Sequence, residues 1–185
     1  MHDFQLDFFH NYFVTINELT KRIDAGFLER TVFAIQEARR YSRKVILVGN
    51  GGSSAMASHV SVDLTKVAGI RSVNFNEADL VTCFANDYGY ENWVAKALEA
   101  YADQGDVAIL ISSSGRSPNI VNGALKAREL GLRVVTLSGF DAENPLRTMG
   151  DVNLWCDSKV YNIVEMTHHI WLLSIVDYLA DAKVS

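Results

Sequence analysis

Apolar residues recur at spacings of three and four from Phe4 to about Ser42. One run extends from Phe9 to Ile23 and a second from Phe27 to Ala38, which predicts two amphipathic helices with a break near Gly26. The first helix is unusually aromatic. A long apolar helix ahead of a compact sheet must bury its face against its own core or against another subunit, and we expect an oligomer.

Short apolar runs after this point predict strands, each followed by a turn and a helical pattern. The predicted strands are Lys44–Val48, Ser72–Phe75, Asp106–Ile111, Arg133–Leu137 and Val152–Cys156. The predicted helices end near Val67 and Leu130, span Glu91–Tyr101, and close the chain over Val160–Ala182. Strands that are apolar on both faces and alternate with helices predict an α/β fold, a three-layer sandwich with a parallel sheet covered on both sides.

The length of 185 residues fits a single structural domain. We divide it into an N-terminal helical extension for oligomerisation, residues 1–42, and an α/β domain, residues 43–185. Ligands of such sheets bind beyond the carboxyl ends of the strands.

Composition and charge exclude several classes of protein. The net charge is −5 and the basic residues are scattered singly, so we expect no direct binding to nucleic acid. Cys83 and Cys156 lie far apart without CxxC spacing, which argues against a disulfide framework or a thiolate zinc site. The N-terminus lacks the pattern of a signal peptide and no run approaches the length of a membrane span, so we expect a cytoplasmic protein with no membrane association.

Two strand-to-helix turns carry the candidate chemistry. Ser112–Ser117 places four serines and a glycine directly before a helix, a composition that supplies hydroxyl and backbone donors to a phosphate at the positive end of the helix. The alternative is a plain helix cap, since serine is favoured there. The other turn, Gly49–Ser54, is neither GxGxxG nor a GxxxxGK[ST] loop. Two such turns predict a site for one small phosphorylated ligand, with the Asn50 amide suited to sugar hydroxyls.

Three segments resemble the sugar isomerase (SIS) domain family, specifically its phosphoheptose isomerase branch: VGNGGSSAMASHVSVDLT, ANDYGYENW and GDVAILISSSGRSPNIVNGALKARELGLRVVTLSG. The resemblance extends over most of the chain from Val45 to Gly139. It implies a five-stranded parallel sheet of flavodoxin-like type and a homotetramer in which neighbouring subunits complete each active site. It also implies conversion of sedoheptulose 7-phosphate to a mannoheptose 7-phosphate.

The resemblance assigns roles to residues of the two turns and of the ANDYGYENW segment. It implies that the phosphate is held by Ser112, Ser113, Ser114 and Ser117. It implies that Asn50, Ser53 and Asp87 face the sugar, and we include Gly51, Gly52 and Ser54 of the first turn in the predicted substrate site.

An aldose–ketose isomerisation moves a proton between adjacent carbons through an enediolate and therefore requires an acid–base group and exclusion of water. Where relatives have a Glu on the helix after the first turn, this chain has Asp63, four residues after His59 on the same helical face. The alternative is a solvated Asp beside a core His.

The last helix departs from the family, because Leu172 stands where relatives have their catalytic His. Glu165, His168 and His169 lie about one turn or more earlier, and our hypothesis is that His168 or His169, with Glu165, replaces the missing group. A structural pair at a subunit interface is the alternative.

Some phosphoheptose isomerases hold zinc between these two helices, and His59, Asp63, Glu165 and His169 are ligand types that suit zinc. Val164 and Leu172 occupy the relatives' Gln and His ligand positions, so no cofactor is assigned with certainty. SIS domains also act as sugar-phosphate sensors, and one branch is a tetrameric partner of the bacterial replication initiator. The alternative function is therefore a non-catalytic regulator or a replication-initiator-associating protein.

Overall fold

The computed structural model describes residues 2–183, with side chains from residue 7 onward. The predicted domain ranges begin at residue 1 and end at residue 185, and both of these residues lie outside the described part of the chain. The α-helices are α1 (His2–Lys21), α2 (Ala25–Arg40), α3 (Gly52–Lys66), α4 (Ala78–Tyr88), α5 (Trp93–Tyr101), α6 (Pro118–Glu129) and α7 (Tyr161–Leu179). The strands are β1 (Val45–Gly49), β2 (Ser72–Asn74), β3 (Val107–Ser112), β4 (Arg133–Ser138) and β5 (Val152–Trp155), and a 3₁₀ helix spans Pro145–Thr148.

The five strands form one parallel sheet in the order β2-β1-β3-β4-β5, which confirms the predicted fold class. In the centre of the sheet Leu47 pairs with Ile109, and Ile109 pairs with Val135. Every residue of β1 and β3 is buried, because helices cover both faces and leave no strand surface for water.

Each face of the sheet has its own apolar core. On one face, residues from α2, α3 and α7 pack together with Leu47 and Ile109. On the other, residues from α5 and α6 pack against Ile46 and Leu110, with part of α4 at the edge. Adjacent strand residues point to opposite faces, so the apolar runs of β1 and β3 serve both cores and produce the three-layer sandwich.

The break between the first two helices lies at residues 22–24, not at Gly26 as the sequence suggested. Asp24 is the N-cap of α2 and its carboxylate accepts a hydrogen bond from the Gly26 backbone N–H at 2.9 Å. An aspartate N-cap starts a helix strongly, and a glycine in the first turn does not break it. Gly26 therefore lies inside α2. The preceding helix is tied to α7 through Trp171, whose indole N–H donates to the Thr20 carbonyl at 3.0 Å.

Helix α4 was not predicted from the sequence. None of its residues is fully buried, and it contacts the second core only through partly buried residues such as Leu80, Val81 and Phe84. The i, i+1, i+4 spacing of these three residues was the signal that could have identified it. Within the described part of the chain, no helix combines the length and the apolar character that crossing a bilayer requires.

Candidate active site

Two turns lie side by side at the carboxyl ends of the adjacent strands β1 and β3. The chain runs from β1 outward to β2 and from β3 outward to β4, so this is the point where the strand order reverses and where ligands of open α/β sheets bind. In the first turn Gly51 has φ +55° and ψ −122°, a backbone conformation that only glycine adopts readily. In the second turn Gly115 has φ +65°.

A small cavity of about 100 Å³ opens between the two turns. Its lining residues are Asn50, Ser53, Ile111, Ser112, Ser113, Ser114, Ser117, Tyr161 and Glu165. The structure therefore brings together residues that are far apart in sequence, from the first turn, the second turn and the start of α7. All four serines assigned to the phosphate by the resemblance lie on its wall.

Some hydroxyl groups of the cavity are hydrogen-bonded to each other, and one has no hydrogen-bond partner within residues 7–183. Ser112 and Ser117 share a hydrogen bond between their Oγ atoms at 2.9 Å. The Ser113 hydroxyl is buried and has no hydrogen-bond partner among the described residues. A buried hydroxyl without a partner costs free energy, and an oxyanion in the cavity would remove that cost. The amino-terminal ends of α3 and α6 both face this region and add their partial positive charge.

Asn50 is held by two neighbours on the opposite face of the sheet. Its side-chain amide exchanges two hydrogen bonds with the Asn119 amide, at 3.0 and 2.9 Å, and its Oδ1 also accepts from the Tyr90 hydroxyl at 3.2 Å. The Asn50–Asn119 pair joins the end of β1 to the first turn of α6. It therefore fixes the spacing between the two phosphate-type turns. Sequence reasoning missed Asn119 and Tyr90, although both lie in the segments that carry the family resemblance.

Glu165 brings a carboxyl group from α7 into the same cavity. A Cβ atom at Gly52 would collide with this carboxylate, with Cδ only 2.7 Å away, so glycine is required there for the close approach. Burial raises the pKa of the Glu165 carboxyl, and the Ser113 hydroxyl, which lies near this carboxylate but outside hydrogen-bond geometry, only moderates this rise. Because its pKa is displaced upward, this carboxyl group is suited to proton transfer.

One helical turn further along α7, His169 meets α3. His169 Nε2 lies 3.0 Å from His59 Nδ1, and His59 Nε2 lies 3.1 Å from Asp63 Oδ2. Burial and the neighbouring His59 lower the pKa of His169, and Asp63 opposes this effect. The three side chains form a continuous hydrogen-bonded chain, which we call the Asp63–His59–His169 chain. It is partly open to solvent, since the His59 side chain is 51% exposed.

The four residues named as zinc ligands do not converge on one point. Both ring nitrogens of His59 are engaged, one with His169 and the other with Asp63, and the Glu165 carboxylate lies over Gly52 instead. Among the side chains that the structure describes, residues 7–183, no group of three or more His, Cys, Asp or Glu is arranged to hold a metal ion. The arrangement thus does not fit a four-ligand zinc site. Zinc stays a prediction from the resemblance, which metal analysis of the purified protein would test.

Three further predicted site side chains lie neither on the cavity wall nor in the Asp63–His59–His169 chain. His168 is fully buried in the core and its Nε2 bonds to the Ser138 carbonyl oxygen at 2.9 Å, a position that favours a structural role over the catalytic one suggested by the sequence. Asp87 is exposed on α4, where its carboxylate accepts from the Asn86 amide at 2.9 Å. Ser54 does not line the cavity, and its carbonyl accepts from Asn76.

Tyr161 also lines the cavity and was missed by sequence reasoning. It stands one helical turn before Glu165 on α7 and packs edge-on against Phe140, with 4.7 Å between ring centroids. Its position one turn before Glu165 was the signal that could have identified it.

Two larger grooves lie elsewhere on the surface. One of about 700 Å³ follows α2 and the amino-terminal ends of β4 and β5, and another of about 470 Å³ lies between α2 and α7. Neither is lined by a serine- or glycine-rich turn at a strand's carboxyl end. Volume alone therefore does not identify the site, and the small cavity at the strand-order reversal carries the chemistry.

Comparison with known proteins agrees with this geometry. Residues 9–139 match the SIS domain family, and the chain belongs to this family. Its curated relatives include the phosphoheptose isomerase of Fusobacterium nucleatum, 34% identical over 140 residues that cover 73% of this chain and 72% of the relative. The phosphoheptose isomerase of Helicobacter pylori strain P12 is 32% identical over 156 residues, covering 80% of each chain. These relatives confirm the phosphoheptose isomerase branch that the sequence motifs indicated.

Solved structures confirm the fold. Phosphoheptose isomerase GmhA from Neisseria gonorrhoeae superposes with a TM-score of 0.86 at 22% identity, covering 96% of this chain and 98% of the other. A phosphoheptose isomerase from Francisella tularensis gives 0.87 at 21% identity, covering 98% of both chains. The similarity extends through α1 and α7, beyond the residues matched by the family.

Proposed function

We propose that this protein is a phosphosugar aldose–ketose isomerase that converts sedoheptulose 7-phosphate to D-glycero-D-manno-heptose 7-phosphate. The observation that carries the proposal is the cavity at the β1/β3 strand ends, with serine hydroxyls on its wall and an ionisable carboxyl group inside it. The names of its relatives support the same reaction.

Helix geometry supports a substrate that extends from the cavity to the Asp63–His59–His169 chain. Glu165 at the cavity and His169 are four positions apart on α7, about 6 Å of helical rise, and Gly52 and His59 are seven positions apart on α3, about 10 Å. A seven-carbon sugar, at about 1.5 Å per carbon–carbon bond, is long enough to span rises of this size with its phosphate in the serine turn and its first two carbons near the histidines.

One assignment of hydrogens satisfies the whole Asp63–His59–His169 chain. With both rings neutral, His59 donates from Nε2 to Asp63 and accepts at Nδ1 from His169 Nε2. His169 Nδ1 then keeps a lone pair and can accept a proton, while Asp63 stabilises the positive charge that develops. In the proposed reaction this base removes a proton from C1 of the ketose. The resulting enediolate takes up a proton at C2, and the hydroxyl proton moves from O1 to O2, which leaves the carbonyl group at C1.

Glu165 is expected to oppose anion binding when ionised, because its carboxylate shares the cavity with the bound anion. We expect Glu165→Gln to tighten binding of sulfate at pH 8 by about tenfold, since a like charge is removed. Sulfate is the chosen probe because it stays doubly charged across the range. Wild-type affinity for sulfate should rise as the pH falls through the raised pKa of Glu165, and calorimetric titration at several pH values measures both effects.

The matched control for this prediction is Glu129→Gln, which removes an exposed carboxylate at the far end of α6 and should leave sulfate binding unchanged. Equal affinity of wild type and Glu165→Gln at pH 8 would show that the carboxylate does not face the bound anion.

Solvent deuterium uptake tests the reaction itself. The protein is incubated in heavy water with sedoheptulose 7-phosphate and with a panel of other ketose and aldose phosphates. We expect deuterium at the carbon next to the carbonyl of the seven-carbon substrate, together with the aldose product. Exchange with a different sugar phosphate, and none with sedoheptulose 7-phosphate, would identify that other sugar phosphate as the substrate. Anion binding without exchange for any sugar would favour the non-catalytic regulator.

We further propose that the active form is a cytoplasmic homotetramer. Phe8, Phe13 and Phe33 are 58%, 65% and 62% exposed. Apolar surface of this kind is normally covered by another subunit. The open flank of His59 requires a cover as well, because water must be kept from the enediolate.

A further inference from the structure

The segment after β4, residues 139–147, contacts the Ser112–Ser117 turn at four places. The Gly139 N–H donates to the Ser113 carbonyl at 2.9 Å, and the Leu146 N–H donates to the Gly115 carbonyl at 3.2 Å. The Arg116 guanidinium pairs with the Asp141 carboxylate at 2.8 Å on the surface. The fourth contact is made by the side chain of Asn144 against Gly115. The turn is thus braced by a segment that contributes no residue to the cavity wall.

Asn144 is the centre of this brace. It is 1% exposed, and its side-chain amide is hydrogen-bonded on both the donor and the acceptor side. Its amide donates to Ser138 Oγ at 3.2 Å and to the carbonyls of Gly139 and Asp141 at 3.2 and 2.7 Å. Its Oδ1 accepts from the Arg147 N–H at 3.0 Å and caps the 3₁₀ helix. A buried amide that is held from both sides keeps one geometry.

Asn144 packs closely on Gly115 and thereby fixes the backbone position of the serine turn. A Cβ at Gly115 would clash with the Asn144 side chain, with its Cβ at 2.8 Å. Gly115 is also the residue with positive φ at which the serine turn reverses direction. The direction of the Ser113 and Ser114 groups depends on the backbone at Gly115, so a shift of Asn144 would reorient the donors of the cavity.

We propose that Asn144 is a positioning residue for anion binding: it holds the Ser112–Ser117 turn in the conformation that directs its donors into the cavity. The inference rests on the proposed function, because it assumes that the cavity binds the phosphate of the substrate. It adds a determinant of phosphate affinity that does not touch the ligand.

The test compares Asn144→Ala with a matched control. Asn153→Ala also removes an asparagine that holds a turn through its side chain, with bonds to Thr136 and to both backbone groups of Gly150. Asn153 lies on the edge strand β5, separated from β3 by β4, and its side-chain hydrogen bonds go to Thr136 and Gly150 and not to the serine turn. Both variants are expected to lower the free energy of unfolding, because each loses several hydrogen bonds.

Binding of inorganic phosphate to the full-length protein is measured by calorimetry, together with kcat and KM for the sugar phosphate. We expect Asn144→Ala to weaken phosphate binding about tenfold and to raise KM more than it lowers kcat, since misdirected donors lose part of their binding free energy. Asn153→Ala should leave phosphate binding unchanged. Equal phosphate affinity for wild type and Asn144→Ala, or equal weakening in both variants, would overturn the inference.

A second comparison keeps the test independent of folding defects. Gly115→Ala should weaken phosphate binding strongly, because the added methyl clashes with the Asn144 side chain and strains a residue of positive φ. Adding Asn144→Ala removes the amide but keeps Cβ, so it should restore only the part of the loss that the amide causes. Strictly additive losses would contradict direct packing as the cause. Phosphate binding by the wild type without isomerisation would overturn the proposed reaction and leave this inference intact, whereas absence of phosphate binding would overturn both.

Discussion

Replacing His169 with alanine is expected to lower kcat for the proposed isomerisation by about 10² to 10⁴-fold, the usual contribution of a positioned acid–base group. The reason is the hydrogen-bonded chain in which His169 Nε2 lies 3.0 Å from His59 and His59 lies 3.1 Å from Asp63. In the proposed mechanism the terminal nitrogen of this chain, His169 Nδ1, accepts the proton. Steady-state kinetics of the purified protein measures the loss.

The variant Asp63→Asn tests whether Asp63, His59 and His169 act together in catalysis or independently. The amide oxygen can still accept from His59, so the geometry is retained while the negative charge is lost, and we expect kcat to fall about 10²-fold. The Asp63→Asn/His169→Ala double variant should be little worse than His169→Ala alone, because residues that act as a unit are not additive. Asp177→Asn, an exposed carboxylate on α7, is the control and should retain full activity. Unchanged turnover after alanine replacement of both His59 and His169 would remove the chain from the mechanism.

The second large effect concerns stability in acid and depends on His168. Its ring is fully buried, its Nδ1 has no partner among the described residues, and burial lowers the pKa of the imidazole to about 4. A charged ring would carry a proton on Nδ1, and the described core offers no acceptor for this N–H group. As the pH falls below about 6.5, the unfolded chain binds a proton that the folded chain refuses, so stability is lost progressively until the pH reaches about 4.

From pH 7 to pH 5 the wild type is therefore expected to lose about 2 kcal/mol of unfolding free energy through this residue. His168→Leu should be less stable at pH 7, because the bond to the Ser138 carbonyl is lost, but its stability should depend much less on pH. Urea unfolding at pH 7, 6 and 5, at one protein concentration, gives both quantities. His10→Ala, at an exposed histidine on α1, should keep the wild-type pH dependence. A His168→Leu variant with the same slope as the wild type would show that another group controls acid stability.

The two histidines that the sequence treated as interchangeable thus have different environments. His168 and His169 are neighbours on α7, and successive residues of a helix point about 100° apart. One ring enters the core beneath Ser138 and the other meets His59 across the α3–α7 contact. Because the helix is apolar on most of its surface, the hydrophobic pattern of EMTHHIWLL could not tell which ring was inside.

The sequence by itself determined the sheet, the position of the two turns and the class of ligand. The apolar runs around Ile46, Ile109 and Val135 are buried on both faces, and a parallel sheet is the arrangement that covers such strands. Serines and glycines at the strand ends sufficed to predict a phosphate-type site, because those side chains act through local backbone geometry and the helix start beside them.

Only the tertiary structure decided which distant groups meet at that site. The approach of Glu165 to Gly52, the Asn50–Asn119 pair and the packing of Asn144 on Gly115 join segments far apart in the chain. Local sequence patterns report the period and burial of each element but not the rotation of one helix against another. Since contacts of this kind depend on that rotation, the hydrogen bond between His59 and His169 and the brace behind the serine turn became visible only in the folded chain.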